Sequence, residues 1–284
     1  MKTLSFAGRE MPVIGAGLWG IGEGIDAHAQ RRALDAAFDA GLVLLDTAEM
    51  YGNGASERVA GAAARSARAQ GKDVFVVSKV LPSNARPQLM RTALTRSLHN
   101  LGLDYLDMYL LHWRSTADLA FVAQQMHEFV QEGLIRHWGV SNFDVADMQE
   151  LLAVPYGEEC ACDQNLYNLA NRGMDYDLMP WLRDHHIPLM AYSPLGDGGP
   201  AGTRVMVNNT EVKKVAARHH ASAQQVMLAW CVRDGNTLAI PQSANPEHLV
   251  QDFHSGSLEL DEHDFAALDS AFPAPTSKQR LAKL

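Results

Sequence analysis

Three apolar runs in this sequence each give way to a titratable side chain of a different kind: Asp46 follows VLL, Lys79 follows FVVS and His112 follows YLDMYLL. A phenol, Tyr51, comes five residues after Asp46 in the segment DTAEMYGNGASE, near enough for a loop to fold it back over the end of the run. A carboxylate and an ammonium that each close an apolar strand are costly to bury singly, so Asp46 and Lys79 read as an ion pair. A phenol beside that ammonium has its phenolate favoured, which predicts a Tyr51 pKa lowered from about 10 toward the range of a general acid. His112 is then placed to hydrogen-bond the same substrate oxygen. The chemistry on offer is proton delivery to an oxygen of a small molecule. Taken singly, each residue also has a plainer role: Asp46 as a helix cap, Lys79 as a solvated charge, Tyr51 as a loop anchor, His112 as a core histidine.

Bringing residues so distant in the chain to one place is a task for the fold. Short apolar runs alternate with longer segments of helical period, the pattern of βα units and a parallel sheet. Strands are expected at 14–18, 43–45, 74–77, 106–111, 137–140, 161–163, 188–191 and 238–240. Trp19, Asp46, Lys79, His112, Asn142, Gln164, Tyr192 and Gln242 stand at the ends of these runs, with successive separations of 27, 33, 33, 30, 22, 28 and 50 residues. A barrel of about 250 residues in eight units predicts roughly 31 per unit. Only the last interval is long, and it holds the stretch Gly196 to Asn209, read as a functional loop. The expected fold is α/β, a (β/α)8 TIM barrel in which residues 1–284 form one domain and the strand ends converge on the face that carries chemistry.

Within that frame, residues 1–14 read as an N-terminal β-hairpin, Leu4 to Phe6 and Met11 to Val13 flanking a turn at Ala7 to Glu10, able to plug the barrel floor. One helix carries Met90, Leu94, Leu98 and Leu101, with Pro87 before it and Gly102 at its end. The next is expected to start at a capping box from Ser115 to Asp118 and to stop at Gly133. The tail, residues 273–284, either drapes over the barrel or stays mobile.

The net charge is −9 with no basic cluster, which argues against a nucleic-acid partner. The N-terminus MKTLSFAGRE has no apolar leader, and no later stretch approaches the roughly 20 apolar residues of a membrane span, so a cytoplasmic protein with no membrane partner is expected. Cys160, Cys162 and Cys231 lack C-x-x-C spacing and read as core thiols, while the pairs His185-His186 and His219-His220 read as surface residues; no metal is expected. A monomer is the expected state.

The segments GAGLWG, LLDTAEMYGNGASE, VVSKV, YLDMYLLHW, IRHWGVSNF, DQNLYN, MAYSPLG and IPQSANPEH, which run in order from Gly15 to about Asp252, resemble those of the aldo-keto reductase family. The resemblance implies reduction of a small aldehyde or ketone by a nicotinamide dinucleotide, with Asp46, Tyr51, Lys79 and His112 as a catalytic tetrad and Tyr51 as proton donor. It further implies that Ser141, Asn142 and Gln164 hold the nicotinamide carboxamide, that Tyr192 stacks on its ring, and that Gly17, Leu18 and Trp19 lie along a ribose. Ser193, Pro194, Leu195 and Gly196 would wrap the pyrophosphate. Ile240, Gln242, Ser243, Ala244, His248, Gln251 and Asp252 would meet the adenosine end, near a helix start that favours anions. Trp19, Met50, Leu81 and Trp113 would wall the substrate site beside Tyr51 and His112.

The chain departs from the family pattern where Gln242 replaces a usual lysine, His248 an arginine and Asp252 an asparagine. The two missing cations normally grip the 2′-phosphate, through charge-assisted hydrogen bonds of about 1.5 to 3 kcal/mol each, and Asp252 adds a repulsive carboxylate. NADPH is placed first because a phosphate can raise the pKa of His248, and NADH stays open. Arg114 stands where a proline often follows the HW pair, a rim cation suited to an anionic or strongly polar substrate. DTAEMY, LYNLANRGMDYDLMPW and AYSPL are similar to a bacterial branch that reduces small reactive aldehydes such as methylglyoxal. Two other readings stay open: a dinucleotide-binding redox sensor or regulatory subunit on the same barrel, like the potassium-channel β subunits, and a metal-dependent barrel hydrolase, against which stands the absence of a His-x-His pair at the end of an early strand.

Overall fold

Short runs of buried β-branched and leucine residues form the strands, and they fall in two sets. A computed structural model describes residues 1–21, 24–196 and 202–284. β1 (Thr3–Phe6) and β2 (Arg9–Pro12) pair antiparallel. β3 (Ala16–Gly17), β4 (Leu44–Asp46), β5 (Phe75–Val80), β6 (Leu106–Leu111), β7 (Ile135–Ser141), β8 (Cys160–Leu166), β9 (Leu189–Tyr192) and β10 (Thr237–Ile240) lie side by side in chain order in one parallel sheet. β5 and β6 are buried at every residue, as parallel strands covered on both faces must be. Helices connect successive strands, and the two ends of the sheet meet. Ala239 donates its N–H to Val13 O (2.9 Å), and Gly15 and Gly17 donate theirs to Ala239 O (2.8 Å) and Pro241 O (2.9 Å). The sheet thus closes into a (β/α)8 barrel. At this seam a Cβ on Gly17 would sit 2.9 Å from the Ile240 carbonyl oxygen, so the close approach of β3 to β10 requires glycine.

The hairpin lies under the strand starts: Phe6 is fully buried, with its ring edge-on to Phe75, the first residue of β5, at 5.9 Å. Its turn is tighter than the expected span from Ala7 to Glu10. Ala7 and Gly8 both take positive φ (50° and 74°), a two-residue turn of the type that matches strand twist, and Phe6 pairs directly with Arg9. The helix Leu89–Leu101 ends, as its spacing predicts, at a left-handed Gly102. The helix Leu119–Gln131 starts without the expected capping box: Asp118 is itself the N-cap, accepting from the N–H groups of Ala120 and Phe121.

Two further expectations are corrected by the connection between β9 and β10. The stretch read as a loop holds the helix Thr203–Asn208, and Asn209 then caps the helix Thr210–Arg218 through Glu211 N and Val212 N; residues 197–201 of that stretch lie outside the described ones. A third helix, Ala223–Cys231, completes the long interval. His219 is not a free surface histidine, since it bonds buried Asp264 at 2.7 Å. The tail drapes over the barrel: Lys278 Nζ bonds Asp144 (3.0 Å) and Asp177 (2.5 Å), and Leu281 packs on the core. The three cysteines are free and buried. No helix among the described residues is long and apolar enough to cross a membrane.

Candidate active site

Because the strands run parallel, their C-terminal ends share one face of the barrel. Gly17, Asp46, Ser141 and Tyr192 are the last residues of β3, β4, β7 and β9; Lys79 is the second last of β5, and His112 and Asn142 immediately follow β6 and β7. The four titratable side chains meet there. Lys79 Nζ donates to Asp46 Oδ2 (2.7 Å), to Thr47 O (2.8 Å) and to the Tyr51 hydroxyl (3.2 Å), while the Tyr51 and His112 rings lie edge-on at 5.7 Å. Lys79 is wholly buried and Asp46 nearly so, and Gln164 Nε2 binds the second carboxylate oxygen at 2.8 Å.

The loop that carries Tyr51 is pinned by a residue whose role was not read from the sequence. Glu49 is buried, accepts from Leu81 N (2.7 Å) and Asn84 Nδ2 (2.9 Å), pairs with Arg96, and so ties the loop to the end of β5. A second unforeseen residue is Gln30 on the helix Ala27–Ala40. Fully buried, it donates to Ser243 O (3.0 Å) and accepts from Gln242 Nε2 (2.9 Å), fixing both residues.

Burial decides the protonation states. The Tyr51 phenol is held above its ordinary value of 10, because burial, with the Asp46 charge, outweighs the pull of Lys79. The expected lowering is thus reversed, and the hydroxyl keeps its proton. Burial, with the Lys79 charge, pushes His112 down to about 2, so its imidazole is neutral. Burial also works against the Lys79 ammonium, but the Asp46 carboxylate and Tyr51 more than offset it, and Lys79 stays charged. Asp46 is drawn upward by burial against the opposing effects of Lys79 and Gln164.

A cavity of about 790 Å³ opens over these groups. Its lining includes Tyr51, His112, Ser141, Asn142, Gln164 and Tyr192, with exposed Trp19 and Met50 and half-buried Trp113 at the mouth. Gly17, Ser193, Pro194, Leu195 and Gly196 follow, then Ile240, Gln242, Ser243, His248, Gln251 and Asp252. Thr203, Ser222, Gln224, Pro241 and Leu284 also line it and carried no signal in the sequence. Asp46 and Lys79 lie behind the wall. Leu18, Leu81 and Ala244 are not among the lining residues: Leu18 is fully buried, and Leu81 holds Glu49 through its backbone. Arg114 is no free rim cation, since Glu150 (2.8 and 2.9 Å) and the Ala117 carbonyl (3.0 Å) engage its guanidinium. The Asn142 amide is occupied too. It donates to His112 O (3.1 Å) and Ser141 Oγ (3.0 Å) and accepts from the Tyr192 hydroxyl (2.8 Å), so it organises this wall.

The aldo/keto reductase family model matches residues 13–272, nearly all of the barrel. The chain belongs to that family. Among its relatives is the methylglyoxal reductase YeaE of Escherichia coli, 42% identical over 99% of this chain and 98% of that one. An aldo/keto reductase from Klebsiella pneumoniae, solved in complex with NADP and acetate, shares 41% identity at a TM-score of 0.95, covering 100% of this chain and 99% of the other. The thermostable reductase Tm1743, in complex with the inhibitor epalrestat, shares 33% identity at a TM-score of 0.83, over 95% and 99% of the two chains.

The family's dinucleotide fits the residues present. The cavity is of the size of small-molecule sites, and its floor offers His112 Nδ1 as a buried polar atom with no partner among the described residues. Apolar and neutral hydrogen-bonding side chains line the rest, with His248 and Asp252 as the titratable side chains of the part that holds Gln242 and Ser243.

Proposed function

We propose that the chain is an NADPH-dependent carbonyl reductase for small, reactive aldehydes of the methylglyoxal type. The observation that carries this reading is the contact of a protonated, half-buried phenol with a buried ammonium, beside a neutral imidazole, at the floor of one cavity. NADPH is supported by the two Klebsiella pneumoniae structures, 41% identical, solved with NADP and with NADPH. The methylglyoxal type is supported by the relative named for that activity.

When bound, the dinucleotide supplies the hydride that reduces the carbonyl carbon. The chain does the rest. Ser141 and Gln164 are the groups that would hold the nicotinamide carboxamide, with the Tyr192 ring against it and Asn142 keeping both in place. The Tyr51 hydroxyl gives its proton to the carbonyl oxygen, and the phenolate left behind is stabilised by the Lys79 ammonium at 3.2 Å. Asp46 keeps Lys79 charged and aimed. His112, neutral and so carrying one ring N–H, donates it to the carbonyl oxygen and orients it, leaving proton transfer to Tyr51. Trp19, Met50 and Trp113 make the entrance apolar, which suits a short aldehyde and sheds water around the developing charge.

The test is direct. Purified protein mixed with NADPH and methylglyoxal should consume the cofactor and yield a hydroxy product in equal amounts. Cofactor binding with no turnover on any short aldehyde or ketone would contradict the reading.

A further inference from the structure

β8 carries a fully buried carboxyl group, Asp163, that pairs with no cation among the described residues. Asn165, also fully buried, shares its face of the strand, opposite Gln164, whose side chain lines the cavity. Asn165 Nδ2 donates to Asp163 Oδ2 (2.6 Å) and to Phe143 O (3.3 Å). This fixes the orientation of the amide, because Oδ1 in that place would face two acceptors. Asp163 Oδ1 and Asn165 Oδ1 are then left without a hydrogen-bond partner among the described residues. An ionised Asp163 would leave both acceptors bare in the interior, whereas one proton on Asp163 Oδ1 supplies the donor that Asn165 Oδ1 lacks. The surroundings favour that proton. β9 brings no charged side chain, and Arg136 and His137 of β7 precede Val140, the register partner of Asp163. Cys160 and Cys162, on its own strand, are buried thiols held in their neutral form. The helix Leu178–Asp184 carries exposed Arg183 and Asp184, and the helix Val145–Leu152 carries Asp147 and Glu150, the latter tied to Arg114. Asp144 is tied to Lys278, and the tail adds exposed Lys283. Burial lifts the Asp163 pKa well above the ordinary carboxylate value, against the smaller opposing effects of Asn165, the Phe143 N–H and Lys283.

The bond to Phe143 O links this pair to the turn that ends β7. Asn142 takes a left-handed φ of 62°, a conformation that a residue other than glycine keeps only with support from its surroundings. Its amide joins His112 O, Ser141 Oγ and the Tyr192 hydroxyl. The turn is braced on both sides, by the Asn142 N–H on Gln164 O (2.9 Å) and by Asn165 on Phe143 O. We propose that Asp163 and Asn165 share one proton in a buried acid–amide pair, and that this pair positions the Asn142 turn for carbonyl reduction. The positioning role rests on the cavity being a carbonyl-reductase site; the shared proton does not.

The experiment compares the whole wild-type protein with Asp163→Asn, which exchanges the acid–amide pair for an amide–amide pair, and with Asn165→Leu, which removes it. An infrared difference spectrum at about pH 7, wild type minus Asp163→Asn, should show the C=O stretch of a carboxylic acid; carboxylate bands in its place overturn the proposal. The folded wild type keeps a proton that the unfolded chain releases above about pH 3.9, so its stability falls as pH rises. In denaturant unfolding, the wild-type unfolding constant should therefore grow about tenfold per pH unit relative to that of Asp163→Asn between about pH 5 and 7, and a constant ratio overturns the proposal. At a temperature where all three proteins are folded, Asn165→Leu should lose at least about tenfold in kcat with the aldehyde KM within about threefold, while Asp163→Asn keeps kcat within about threefold. A folded Asn165→Leu protein with wild-type kcat makes the pair a packing element and overturns the positioning role. The infrared and pH comparisons need only Asp163→Asn, so they decide the shared proton even where Asn165→Leu does not fold. A wild type without turnover on any short aldehyde or ketone overturns the functional reading and the positioning role with it, while a carboxylic-acid band in the same protein still upholds the shared proton.

Discussion

Lys79→Met keeps the length of the buried stem and deletes the ammonium. Three hydrogen bonds disappear, to Asp46, Thr47 O and Tyr51, and Asp46 is left with Gln164 as its side-chain partner in a fully buried position. Stranding one member of a buried pair costs about 3–5 kcal/mol, which for a protein of this size lowers Tm by roughly 6–20 °C. The loss depends on pH with a definite sign. Burial already raises the Asp46 pKa, and without Lys79 it rises further, so the folded state binds a proton that the unfolded state releases. The variant is therefore least impaired at low pH and loses stability as pH rises through the new value. Asp46→Asn in the same chain removes the stranded charge and should restore most of the stability. Turnover should not return, because the phenolate still lacks a charge-assisted hydrogen bond worth about 1.5–3 kcal/mol, or roughly 10- to 150-fold in kcat. Denaturant unfolding at pH 5 and 8, with kcat on a short aldehyde, reads both effects. An unchanged Tm for Lys79→Met, or a double variant with full turnover, would refute the reasoning.

Three other outcomes follow from particular contacts. Gly17→Ala drives a methyl group to 2.9 Å from the Ile240 carbonyl at the barrel seam and should destabilise the fold by about 1–3 kcal/mol in denaturant unfolding; a change below about 0.5 kcal/mol would mean that the seam yields freely. Because His112 is held near 2 while an unfolded histidine sits near 6.5, stability should fall by up to about 1.4 kcal/mol per pH unit below pH 6.5, and His112→Gln should lessen that slope in acid unfolding. Arg114→Ala breaks the partly exposed pair with Glu150, so stability should drop by about 1 kcal/mol or less, and KM for anionic aldehydes should stay within about twofold of wild type. A selective rise in that KM would return Arg114 to the substrate site.

The barrel and the meeting of the four side chains could be read from the sequence because strand ends carry phase: a polar residue after each apolar run marks one face of a parallel sheet. Charge states could not be read in the same way. Lys79 beside Tyr51 suggested a lowered phenol pKa, but the sequence does not show how deeply the hydroxyl is buried, and burial is the larger effect. Gln30 and Glu49 sit where a helix and a loop give them no periodic signature, and only the folded chain brings them to Gln242 and Leu81. Arg114, in the loop after β6, reads as a free cation because its partner, Glu150, is 36 residues away on the helix Val145–Leu152. The helix Thr203–Asn208 was hidden by its glycine-rich approach, although Asn209 was a visible cap for the helix that follows.

The central claim is that the Tyr51 proton ends on the substrate oxygen, and Tyr51→Phe with paired kinetics and NADPH titration tests it most directly. The account predicts a kcat lower by about 10²- to 10⁴-fold with a dinucleotide Kd within about threefold of wild type. A phenylalanine variant that reduces aldehydes at the wild-type rate would contradict it.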